Sequence, residues 1–252
     1  MEARAVNITN GWLWIKQGYR LFRKSTLLMI VLTAISVLGI MTVAAIPTVG
    51  DMLATLLFPA LFAGFMLGCR ELDRGEELEL EHLLAGFQGN GSALIALGGI
   101  NLVCQILILG VMYSLGATEL VEILMAGHHV EDTEVMKQAI ENAGPALPIG
   151  LVLFSLLLMA MQFAPMLVMF DRLPPLAAMR ASLKACLRNV LPLTMYAAML
   201  LPFAFLASVP LMAGWLILLP IMATSVYVAY RDVFSGADAP SEGGTDDPAK
   251  PV

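Results

Sequence analysis

Three carboxamides set in otherwise apolar runs are the residues of this 252-residue chain best placed to do chemistry. Asn101 and Gln105 stand one helical turn apart in the charge-free stretch 92–118, and Gln162 stands near Pro165 in the stretch 142–170. A polar group surrounded by hydrocarbon is costly unless bonded, so all three are expected to face the interior of a helix bundle. Two uses are open to them. They line a polar solute pathway between two helices, or they bond across helices and fix register at about 0.6 kcal/mol per contact. No charged residue falls inside a long apolar stretch, which speaks against a proton-coupled or voltage-sensing mechanism.

The remaining chemistry-bearing groups fit no reaction. His128 and His129, followed by Glu131 and Asp132, lack the third and fourth ligands of a metal motif. Glu76, Glu77, Glu79 and Glu81 with His82 lack the Asp/Gly loop of a calcium site and read as a solvated face. Cys69, Cys104 and Cys186 have no neighbour at metal-ligand spacing and read as small apolar packers. No G-x-S-x-G, P-loop or H-E-x-x-H pattern occurs, so neither a catalytic residue nor a metal or other cofactor is expected, and the protein is not expected to be an enzyme.

Charged residues make up 13% of the chain, about half the ~25% share of soluble domains, while 59% of residues are hydrophobic. Lipid is the solvent such a composition suits. The charge-free stretches 25–50, 52–69, 92–118, 142–170 and 189–230 require about 20 residues per span, and the last is long enough for two helices turning near Pro210. The expected fold is all-α: a polytopic transmembrane bundle of six spans, about 26–47, 52–69, 93–115, 147–169, 190–209 and 211–230. Together these form one domain over residues 1–235, followed by a disordered cytoplasmic tail over 236–252 that is rich in Pro, Gly, Ser and Asp.

Alternating the connectors puts Arg4, Lys16, Arg20, Arg23, Lys24, Arg70, Arg74, Arg172, Arg180, Lys184, Arg188, Arg231 and Lys250 on one side and only Lys137 on the other. Basic residues gather on the cytoplasmic side of membrane proteins, so both termini are expected in the cytoplasm. The formal charge of −6 comes with no basic stripe interleaved with aromatics, which disfavours a nucleic-acid partner.

The six spans form three hairpins, each led by an amphipathic cytoplasmic segment. In the first, Trp12, Ile15, Tyr19 and Phe22 share one helical face with Lys16, Arg20 and Arg23 beside it, and Trp14 joins them, the pattern of a helix lying on an anionic leaflet. In the third, Met179, Leu183 and Leu187 oppose Arg180, Lys184 and Arg188; the middle segment, 80–87, is the acidic exception. These basic and aromatic residues are expected to touch lipid headgroups or a protein partner. Ala60, Gly64 and Gly68 form a small-residue ridge at four-residue spacing that suits close helix packing, within the chain or in a homo-oligomer. Pro59, Gly64, Gly68, Arg70 and Glu71 match Pro220, Ser225, Ala229, Arg231 and Asp232 at identical separations, as a parallel internal repeat would require.

Gly11-Trp12, Trp14-Ile15-Lys16-Gln17-Gly18, Leu21-Phe22, Gly86-Phe87-Gln88, Phe163-Ala164-Pro165 and Leu167-Val168 are joined by Ala185-Cys186-Leu187-Arg188-Asn189 and by Pro220 with Tyr227-Val228-Ala229-Tyr230-Arg231-Asp232-Val233-Phe234. In these motifs the chain resembles a family of six-span proteobacterial inner-membrane proteins of uncharacterised activity, over nearly its whole length except the tail. The resemblance implies inner-membrane location and a six-helix fold, and it brings no activity or site residue. The expected role is a non-enzymatic scaffold, assembly or regulatory protein at the cytoplasmic membrane face, with a small-molecule transporter or lipid-handling protein, built around Asn101, Gln105 and Gln162, as the alternative.

Overall fold

A computed structural model describes residues 3–126, 133–209 and 212–234. The Pro210 turn, His128, His129, Glu131, Asp132 and the tail lie outside them. The described residues form twelve helices: α1 (Asn10–Lys24), α2 (Thr26–Ala44), α3 (Gly50–Arg74), α4 (His82–Ala85), α5 (Gly91–Ser114), α6 (Thr118–Ala126), α7 (Thr133–Asn142), α8 (Ala146–Gln162), α9 (Ala164–Asp171), α10 (Pro175–Arg188), α11 (Val190–Ser208) and α12 (Trp215–Phe234). Six of the helical stretches are long and apolar enough to cross a membrane: α2, α3, α5, α8 continued by α9, α11 and α12. Their bounds fall within a few residues of the expected spans, because apolar runs of this length have no other way to satisfy their backbone in lipid.

Burial divides these helices into two sets. In the most apolar stretch of α2, α5 and α11, 17% of residues are buried, against 50% in α3, 44% in α8–α9 and 50% in α12. The second helix of each hairpin is therefore central and the first is peripheral, facing lipid. Each lead-in helix packs on the second helix of the hairpin before it: α4 on α3, α10 on α8 and α9, and α1, closing the circle, on α12. The outer turns of hairpins one and three also match. Thr48 and Met212 both have positive φ, and two residues on, Gly50 and Gly214 sit where a side-chain carbon would overlap the end of the preceding helix.

Arg4 donates from Nε to the Asp232 carbonyl (2.6 Å) and its backbone N–H donates to the Val233 carbonyl (3.0 Å), so the two described ends of the chain lie together. That end also carries α1 and α10 with their lysines and arginines, and is called the basic end below. The core is densest there, around Phe65, Met66 and Cys69 of α3, Phe163 and Ala164–Val168 of α9 and the turn before it, and Tyr227–Phe234 of α12. At the opposite end α6 and α7 close a small core of their own with Met112 and Ala146.

Candidate functional site

The basic end is held by polar bonds between residues far apart in sequence. Asp232 accepts from Trp14 Nε1 (2.8 Å) and Asn10 Nδ2 (2.7 Å) and pairs with the Arg4 guanidinium. Asn189, 1% exposed, accepts the Val6 N–H through Oδ1 (2.9 Å) and donates from Nδ2 to the Arg4 carbonyl (2.9 Å). Asp73 takes the Arg231 guanidinium and the Tyr227 hydroxyl (3.2 Å), while Asp171 accepts from Tyr230 (2.6 Å). Such charge-assisted bonds are short, and they tie α1, α3, α9 and α12 together at this end.

This geometry corrects the reading of α1. Trp14, Ile15 and Phe22 are buried with Gly11, Gly18 and Leu21, whereas Trp12 and Tyr19 are exposed on the face that carries Lys16, Arg20 and Arg23. Trp14 therefore contacts Asp232 and Tyr196, not headgroups. The reason is the small residues Gly11 and Gly18, which bring the backbone of α1 against Pro192 and Ser225, and a helix side seated that closely must be the inner one. Thr224 Oγ1 completes the seam at 2.9 Å from the Gly18 carbonyl oxygen. On α10, Arg180, Lys184 and Arg188 are exposed as expected, although Arg188 also donates to the Ala3 carbonyl (2.9 Å).

The small-residue ridge is used inside the chain. Ala60 is fully buried, Gly64 lies under the carbonyls of His82 and Leu83, Gly68 lies under Leu78, and any side chain at Gly86 would overlap the Ala60 carbonyl. His82 Nδ1 accepts the Glu79 N–H at 2.9 Å, which ties the acidic segment to its own turn.

Span four breaks where Pro165 removes a backbone donor. The fully buried Ser182 of α10 repairs the break: its hydroxyl accepts the Phe163 N–H (3.0 Å) and donates to the Met159 carbonyl (2.7 Å). Cys186 adds a second donor to that carbonyl at 3.4 Å, and burial pushes its thiol up to about 12, which keeps it protonated. The cysteine is thus more than the packer its spacing suggests.

Beyond this sealed end the helices separate around a cavity of about 830 Å³, lined by α2, α3, α5, α8, the start of α9, Tyr196 of α11, and α12. Asn101, Gln105 and Gln162 all line it. At about 1.5 Å per residue, Asn101 stands roughly 15 Å along α5, near the middle of a ~30 Å hydrocarbon layer. Among the described residues no hydrogen bond reaches the three carboxamides, nor the Thr55 hydroxyl beside them; all four are part-exposed and line the cavity. The cross-helix bonding open to them in principle is absent among the described residues. Apart from Thr33, Ser36 and Tyr196 the rest of the wall is apolar, with Phe58, Phe62, Leu157 and Met161 prominent, and Met41, Phe58, Phe154 and Leu158 are exposed, so the cavity is open at the side. Its size is that of a ligand pocket rather than a packing defect.

Sequence reasoning identified the three carboxamides as an interior set and missed the cavity. Thr55, a hydroxyl inside an apolar run, carried a weak version of the same signal.

Comparison with known proteins agrees with the architecture. The chain is similar to a probable inner membrane protein of Burkholderia thailandensis, with 29% identity in an alignment 214 residues long that covers 78% of this chain and 74% of that protein. No protein-family model matches, and no solved structure matches. Six membrane-crossing helices and this relative make the chain a multi-pass inner-membrane protein.

Proposed function

We propose that the protein is a non-enzymatic lipid-handling protein that takes an amphiphilic molecule from the membrane into its mid-membrane cavity. The observation that carries this reading is the convergence of Asn101, Gln105 and Gln162, unbonded among the described residues, on one open and mainly apolar cavity. Leaving an amide without a partner in an apolar medium costs roughly 2–7 kcal/mol, so the site calls for a ligand with both hydrocarbon and hydrogen-bonding groups. An aqueous solute path would need two to four polar partners for each water along its length, whereas most of this wall is hydrocarbon and three of its hydroxyls, those of Thr33, Ser36 and Tyr196, already donate to backbone carbonyls. The basic end faces the cytoplasm in this reading, as the clustering of arginine and lysine there favours.

Native mass spectrometry of the full chain in mild detergent tests it. One amphiphile per chain is expected on the natural protein and is expected to be lost from the cavity-filling variants Ser36→Phe and Ala223→Phe when these keep the melting temperature of the parent. An empty natural protein, or equal retention by folded variants, overturns the proposal.

A second reading, a scaffold or regulator at the cytoplasmic face, is favoured by the outward side of α1, where Trp12 and Tyr19 alternate with Lys16, Arg20 and Arg23. Aromatic rings beside cationic side chains suit the headgroup layer of an anionic leaflet. Patches of membrane excised with the protein by polymer are expected to be enriched in anionic lipid, with the enrichment falling in the Lys16→Gln, Arg23→Gln variant. Unchanged lipid composition removes this reading.

A further inference from the structure

We infer that the ligand of the cavity is a long-chain lipid with an uncharged, hydrogen-bonding head, such as an acylglycerol or a long-chain alcohol, because among the described residues three carboxamides without a protein partner face it and no carboxylate, ammonium, guanidinium or imidazole does. This rests on the amphiphile reading above and narrows its chemistry.

Among the described residues no Asp, Glu, Lys, Arg or His lines the cavity. A phosphate or carboxylate brought to mid-membrane there would lose its hydration and meet no counter-charge, which is prohibitive for an unpaired ion. Cations that recognise phosphate by forked bonding are present in this chain, but they stand at the basic end, where Arg231 pairs with Asp73 and Arg4 with Asp232. A carboxamide, by contrast, offers two donors and an acceptor, which matches a hydroxyl or an ester and distinguishes both from plain hydrocarbon.

The hydroxyls around the cavity sharpen the match. Thr33 and Ser36 donate to carbonyls of their own helix, at 2.8 Å to Met29 and 2.7 Å to Leu32, so towards a ligand they can only accept. Tyr196 is similarly engaged, donating to the Met222 carbonyl at 3.3 Å. Among the described residues the free donors are thus the carboxamides and Thr55. The ligand must therefore bring acceptors to α5 and α8 and at most a few donors of its own, as an ester or alcohol head does and an ammonium head does not. The hydrocarbon part then lies along the apolar wall toward Phe58 and Leu158, where the cavity opens to lipid.

The test uses two photoreactive probes with identical acyl chains, a diacylglycerol and a phosphatidic acid, added to the full chain in phosphatidylcholine nanodiscs. Crosslinks are read by mass spectrometry and mapped to peptides. The diacylglycerol is expected to label α5 and α8 at least ten-fold more than the phosphatidic acid, equivalent to about 1.4 kcal/mol. The Asn101→Leu, Gln105→Leu variant is expected to lose about ten-fold of that labelling. If phosphatidic acid labels the same peptides equally or better, the uncharged-head inference falls while the amphiphile reading stands. If neither probe labels them above the level in Ala223→Phe, both fall.

Discussion

At the basic end, Asp232 gathers Asn10, Trp14 and Arg4 from more than 200 residues away in sequence, and Ser182 fills the gap in the backbone of span four. Closer to mid-membrane, Asn101, Gln105 and Gln162 reach the surface of a cavity and bond to none of the described residues. Polar residues of similar chemistry are closed into a network in one region and left open in the other. The contrast separates two roles: groups already bonded within the protein hold the fold, and groups left open at membrane depth are available for a ligand.

Substitutions on the two sides should therefore diverge. The largest loss is expected from Gly86→Val, which drives a branched side chain into the Ala60 carbonyl and should cost about 3 kcal/mol or more in detergent unfolding; Gly39→Val, facing open space, should cost less than about 0.5 kcal/mol. Asp232→Ala strips Trp14, Asn10 and Arg4 of their shared acceptor and should cost about 2 kcal/mol, with exposure of Trp14 visible as a red shift in fluorescence. Ser182→Ala leaves the Phe163 N–H unbonded, while Cys186 still serves the Met159 carbonyl, so about 1–2 kcal/mol is expected. The smallest effect belongs to Gln105→Leu, which removes no bond from the fold and should leave the melting temperature unchanged or raised. A loss as large as that of Ser182→Ala would erase the contrast between the two regions.

The six spans were legible because apolar runs longer than about 18 residues have one solution in lipid. The lead-in helices were legible from their periodicity, but the inward side of α1 was not. Hydrophobicity placed Trp12 and Tyr19 with Ile15 and Phe22, whereas packing follows Gly11 and Gly18, whose lack of a side chain lets the helix sit against Pro192 and Ser225. Pro165 marked the weak point of span four, and nothing local to it named Ser182 as the group that repairs it. The pairing of Trp14 with Asp232 was hidden for the same reason: it follows from α1 closing the ring of hairpins on α12, a long-range choice with no local signature. The cavity was the least legible feature, since it arises from three central helices that meet at the basic end and separate beyond it, a property of helix directions more than of any residue.

The central claim is that the mid-membrane cavity holds a lipid whose head meets the three carboxamides. An experimental structure of the full chain in lipid nanodiscs tests it most directly. The account predicts elongated density running in from the side of the bundle and ending within hydrogen-bonding distance of Asn101, Gln105 and Gln162. A collapsed cavity in which the three carboxamides bond one another across α5 and α8 would contradict it.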